Sequence, residues 1–117
     1  MTKDDMKART KQYALRVIKA VQSLSGDRVA GTIGTQLLRS GTSVGANYRA
    51  ACRAKSTADF VNKLKIVEEE CDESLFWMEL LVEADILNQK KLGALMKEGD
   101  EILAIVVASI KTTRQSR

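Results

Sequence analysis

Residues 57–84 read TADFVNKLKIVEEECDESLFWMELLVEA, and this stretch decides the fold. Phe60, Leu64, Val67, Cys71, Leu75, Met78 and Val82 recur at spacings of three and four, which places them on one face of a long helix. A strand would need a period of two, and none is present. Ser56, three residues before Asp59, has the spacing of a capping box and opens the helix. A second apolar stripe of Ile66, Trp77, Leu80 and Ala84 runs about 140° away around the helix, interrupted by Glu70 and Glu73. Between the stripes lie Glu68, Glu69, Asp72, Glu79 and Glu83, the natural solvent face. A helix in a monomeric bundle needs one broad apolar face, so a second stripe carrying the chain's one Trp points to a subunit contact. Wide burial in a single core is the alternative.

Working outward, residues 30–54 place Ile33, Leu37, Gly41, Val44, Tyr48 and Ala51 on one helical face. Gly34, Gly41 and Gly45 each cost about 1 kcal/mol relative to Ala inside a helix, so a helical reading requires a close helix contact in return. A loop around 41–45 is the other reading. On the helical one, Ser40, Ser43 and Asn47 form a polar strip beside the core, while Arg39, Arg49 and Arg53 gather on the side facing away. Residues 4–25 carry the stripe Met6, Tyr13, Val17, Val21 and Leu24, with Asp4 or Asp5 available as cap and Gly26 as terminator. Leu15 and Ile18 fall outside that stripe, so this helix also has apolar surface to hide on a second side. After the short link 85–88, residues 89–113 bury Leu92, Leu95, Met96, Gly99, Ile102, Leu103, Val106 and Ile110. The expected architecture is all-α: an antiparallel, up-down-up-down four-helix bundle forming one domain over residues 1–117.

Composition agrees. The 117 residues are 44% hydrophobic, enough for one core without a metal or disulfide staple, and they include no Pro. The net charge of +4 is unevenly spread: 1–56 carries +8, 57–85 carries −7 and 86–117 carries +3. No apolar run approaches the roughly 20 residues that span a bilayer, and the first residues lack a signal core, which points to the cytoplasm and away from membranes. Cys52 and Cys71 fit no zinc spacing or redox pair and read as buried free thiols.

These residues offer little chemistry. A bundle invites a di-iron centre, but the chain has no His, and Glu69 with Asp72 and Glu70 with Glu73 all sit on one helix and cannot surround a metal pair. Without His, Cys52 and Ser43 have no activating base. The glycines at 41–45 lack the Lys and Ser/Thr of a phosphate loop. The expectation is therefore a protein that is not an enzyme, with no cofactor, metal or small-molecule substrate. The basic first half remains: Lys11, Arg16, Lys19, Arg39, Arg49 and Arg53 could track a phosphate backbone by counterion release. No recognition helix or stacking platform accompanies them, so the contact would be shape- or charge-directed. The competing reading has the same cations neutralise the acidic third helix of a neighbouring subunit.

RSGTSVGANYR at 39–49, STADF at 56–60 and ECDESLFW at 70–77 together resemble the 23S rRNA intervening-sequence protein family, most closely over residues 33–87. The resemblance implies a four-helix bundle that assembles into a homopentameric ring, and a role linked with RNA, since some members are encoded inside ribosomal RNA gene insertions. A related branch is the accessory variability determinant of diversity-generating retroelements, a basic pentameric barrel partnering a reverse transcriptase and RNA. Arg39, Ser40, Ser43, Asn47, Arg49, Asp59, Phe60, Glu70, Glu73 and Trp77 occupy positions of the family pattern. The family often carries an acid directly after the arginine at 49, where this chain has Ala50-Ala51. Ser40, Ser43 and Asn47 are expected to satisfy Glu70 or Glu73 in a buried polar network that fixes helix register. Leu15, Ile18, Ile66, Trp77 and Leu80 are the expected oligomer interface.

Overall fold

Each helix begins where a short polar side chain can cap it. A computed structural model describes residues 1–116: α1 is Lys3–Gln22, α2 Arg28–Ala51, α3 Thr57–Glu83 and α4 Gln89–Gln115. The chain is an all-helical four-helix bundle, and the described residues contain no strand. Thr2, Asp27, Ser56 and Asn88 are the N-caps, and each side chain accepts the backbone N–H of the residue three further on. Each bond satisfies a donor that a helix start leaves orphaned.

Helix boundaries shift from expectation: α2 spans 28–51 against an expected 30–54, α4 runs to 115 against an expected 113, and α1 differs at both ends. Thr2 caps α1 in place of Asp4 or Asp5, and Asp5 instead accepts the Thr2 N–H at 2.9 Å to complete a reciprocal capping box. The helix then ends at Gln22, short of Gly26, because Ser23 Oγ donates to the Ala20 carbonyl at 2.6 Å and closes the last turn. Between α3 and α4, Asp85 takes a left-handed backbone conformation with a φ of 58°. Ile86 and Leu87 there both donate to the Leu81 carbonyl, at 2.9 and 3.0 Å.

The core is one continuous cluster drawn from all four helices, including Tyr13, Val17, Leu37, Val44, Leu64, Cys71, Met78, Ile102 and Val106. Its apolar stripes are the expected ones, with Val61, Ser74 and Leu81 of α3 added to the buried set. Cys52, expected to be buried, is only half-buried, whereas Cys71 is fully enclosed.

The glycines of α2 lie inside an unbroken helix, so the loop reading of 41–45 does not hold. A Cβ on Gly41 would lie 2.8 Å from both Val17 methyls, and one on Gly45 would lie 3.2 Å from the Thr10 carbonyl oxygen. Gly41 thus makes room for the Val17 side chain, and at Gly45 only hydrogens fit between the two backbones; these contacts offset the helix-propensity cost. Further along, Gly34 faces Leu24.

α1 meets α4 differently. Arg9 Nε and Nη2 grip Glu98 at 2.7 Å each, and Nη2 also reaches Glu101 at 3.0 Å. Deeper in, α1 also reaches α3: the Tyr13 hydroxyl lies 2.8 Å from Ser74 Oγ, while Ser74 donates its own proton to the Cys71 carbonyl at 2.7 Å. Tyr13 is therefore the donor of the pair, and burial raises its pKa so that it keeps the proton. Cys71 Sγ donates to the Gly99 carbonyl at 3.3 Å and ties α3 to α4.

Candidate nucleic-acid interface

The six cations singled out by sequence do not form one surface. Lys11 and Arg49, joined by Lys7, rim a groove of about 530 Å³ between α1 and α2, floored by Ala8, Ala14, Gly45 and Ala46. Arg16 and Lys19 belong to a second groove, of about 240 Å³, where α4 contributes Lys91. Its floor of Ala20, Leu92 and Leu95 is buried core. Arg53 is exposed just beyond the end of α2. The separation follows from α1 lying between two neighbours: 3.6 residues per turn send Lys7 and Lys11 toward α2 and Arg16 and Lys19 toward α4.

Arg39 is engaged elsewhere. Its Nη1 donates to Glu70 at 3.0 Å, its Nη2 to Glu73 and its Nε to Gln36 at 3.1 Å. Glu73 also accepts the Trp77 indole N–H at 2.9 Å, and that bond first, with Arg39 behind it, holds its carboxyl below the usual carboxylate range. Two carboxylates neutralise this guanidinium, so it is not a free phosphate contact.

The same clamp replaces the expected polar network. Ser40 Oγ donates to the Gln36 carbonyl at 2.8 Å, Ser43 Oγ to Arg39 at 2.7 Å and Asn47 Nδ2 to Ser43 at 2.8 Å. All three side chains turn back onto their own helix, and Glu70 and Glu73 take Arg39 as partner instead. An arginine reaches across a groove that the short serines and Asn47 do not span.

Of the five residues expected at an oligomer interface, Leu15 and Ile66 stand 45% and 43% exposed, while Ile18, Trp77 and Leu80 are half-buried. The more exposed aromatic is Phe76, at 49%, its ring edge-on to Trp77 with centroids 5.1 Å apart. Phe76 falls between the two stripes of α3 and so belonged to neither. Lys7 and Lys91 were passed over because a single helix does not reveal which neighbour its cations will face.

Cations rim both grooves, and among the described residues no Cys or Ser lines either one. Burial pushes the Cys71 thiol up to about 12, so it stays protonated. No helix of the described residues is long and apolar enough to cross a membrane.

Comparison with known proteins converges on one family. A family model described as 23S rRNA-intervening sequence protein matches residues 3–108. A crystal structure of a protein of unknown function from the S23 ribosomal protein family of Bacteroides thetaiotaomicron is 32% identical over 95% of this chain and 99% of that one, with a TM-score of 0.88. No curated protein matches.

Proposed function

The chain belongs to the 23S rRNA-intervening sequence protein family, and from that membership we propose a non-enzymatic, RNA-associated accessory protein that works in the cytoplasm as a homopentameric ring. On this reading the helices run up-down-up-down. Support comes from the order of the close contacts: Gly34 with Leu24, Gly41 with Val17 and Gly45 with Thr10, so that numbers rise along α2 as they fall along α1.

The observation that carries the RNA reading is the groove between α1 and α4. Arg16, Lys19 and Lys91 surround it, and among the described residues none of the three forms an ion pair. Its apolar floor is already buried, so only charge is on offer, and a phosphate backbone needs nothing more. RNA bound this way is read by shape and charge, and a ring repeating the groove gains avidity on long strands.

Titration of a long RNA at increasing salt tests this. Neutralising three phosphates per subunit gives a log–log salt slope of about −2 to −3. Arg16→Glu with Lys19→Glu is expected to abolish binding while the oligomer persists. No affinity for any RNA at low salt would instead support the second reading, a scaffold or adaptor, for example for a reverse transcriptase, that never touches nucleic acid. Exposed Phe76 favours that reading, since an aromatic in water is more useful to a protein partner than to a phosphate. Gene neighbourhood separates the two branches of the family: an adjacent reverse transcriptase marks the retroelement role, and a position inside a ribosomal RNA gene marks the other.

A further inference from the structure

Glu69, Asp72, Phe76, Glu79 and Glu83 recur along α3 at spacings of three and four, so they share one face, and all five are exposed. Four carboxylates thus flank one aromatic ring. The groove between α1 and α2 has the opposite character. Lys7, Lys11 and Arg49 rim it over a floor of small residues. Leu15 and Ile18, one turn beyond Lys11 and Ala14, and Leu38, one turn before Thr42, continue the same face with apolar side chains, Leu38 being 38% exposed.

We propose that the Phe76 stripe of α3 seats in the α1/α2 groove of a second copy of this chain. The floor of Ala8, Ala14, Gly45 and Ala46 lets a helix approach closely. Phe76 covers apolar surface next to Leu15, Ile18 and Leu38, and the carboxylates meet Lys7, Lys11 and Arg49. An RNA backbone would satisfy those cations too, but it would leave Phe76 and the three aliphatic side chains in water. A protein helix with acids around an aromatic satisfies both halves of the surface. The lengths agree: at about 1.5 Å per residue, the stripe from Glu69 to Glu83 spans about 21 Å and the α1 side of the groove from Lys7 to Ile18 about 16 Å.

Donor and receiver are different patches with no residue in common. The contact is therefore heterologous: each copy gives α3 to one neighbour and receives α3 from another, and the arrangement closes into a ring when the rotation per step divides a full turn. This assignment rests on the homo-oligomer reading given above and is independent of its RNA part.

Charge reversal on either patch tests it, with mass read by light scattering and folding checked by circular dichroism. Lys11→Glu with Arg49→Glu reverses the groove, and Asp72→Lys with Glu79→Lys reverses the stripe; all four positions are exposed, so both variants are expected to fold. Each alone is expected to run as a monomer where the parent assembles. Combined in one chain, the four substitutions are expected to restore assembly, since every contact then pairs opposite charges whatever the number of subunits. Phe76→Ser, with all charges intact, is expected to shift the parent toward monomer. A monomeric parent overturns both this contact and the oligomer reading. Two-site variants that assemble like the parent, or a fourfold variant that stays monomeric while folded, overturn this contact only. Variants that keep the oligomer and lose RNA instead assign the groove to RNA.

Discussion

α1 is held on its two sides by opposite kinds of contact. Toward α2 the packing is close because Gly41 leaves room for the Val17 side chain and Gly45 sets the α2 backbone against the Thr10 carbonyl, so what fixes the distance is the absence of side chains on α2 at these two positions. Toward α4 the spacing is set by reach: Arg9 extends to Glu98 and Glu101. The first seam is geometric, indifferent to pH and salt, and intolerant of added volume. The second is polar, tolerant of small shifts and responsive to protonation. A single helix thus carries a rigid side and an adjustable one.

The largest expected effect breaks the rigid side. Gly41→Leu drives a branched side chain into Val17 and is expected to cost about 3 kcal/mol in urea melts, the upper end of overpacking penalties. Parent-like stability would mean that α1 can move away, and the two seams would no longer differ in kind.

A smaller effect is expected on the adjustable side. Arg9→Ala removes a half-buried guanidinium and is expected to cost about 1 kcal/mol at neutral pH. Arg9 donates to Glu98 and holds its carboxyl below the ordinary value of 4.5, so the folded pKa lies under the unfolded one. The stabilisation is therefore complete above the unfolded value and lost as pH falls through the folded one. Melts at neutral pH and at about pH 3 should show the parent losing more than Arg9→Ala does. Equal losses in both proteins would remove the polar account of this seam.

The smallest effect has the opposite sign. Gly31 shares α2 with Gly41, but a Cβ there would meet nothing within 4 Å. Gly31→Ala is expected to stabilise by about 0.5–1 kcal/mol through helix propensity alone. Destabilisation would show that crowding on α2 extends beyond the α1 seam.

Much of this was legible from spacing. The apolar stripes give the helices and every buried residue of α4, because a 3.6-residue period is a property of one helix alone, whereas in α3 they omit Val61, Ser74 and Leu81, which are buried by neighbouring helices. The need for a close contact at Gly41 was legible from its propensity cost, although the partner, Val17, was not. Properties that depend on two helices were harder to read. Arg39 looked outward on its own helix, and only the placement of α3 brings Glu70 and Glu73 beside it. The six cations looked like one surface because each helix was read without its neighbours. Thr2 was missed as a cap because Asp4 and Asp5 offered commoner side chains two or three positions too late.

The α1/α4 seam has a further consequence in time. The other three pairs of packed helices are neighbours in sequence and close short loops, whereas Arg9 and Glu98 must be brought together from nearly opposite ends of the chain. Loop-closure entropy makes that the costliest junction to form early and favours the three loop-connected pairs before it. The two terminal helices then meet each other last. Contacts made after the rate-limiting step slow unfolding without speeding folding. Arg9 and its two acids thus act as a late latch on the finished bundle: they have little to do with how fast it forms and much to do with how long it stays closed.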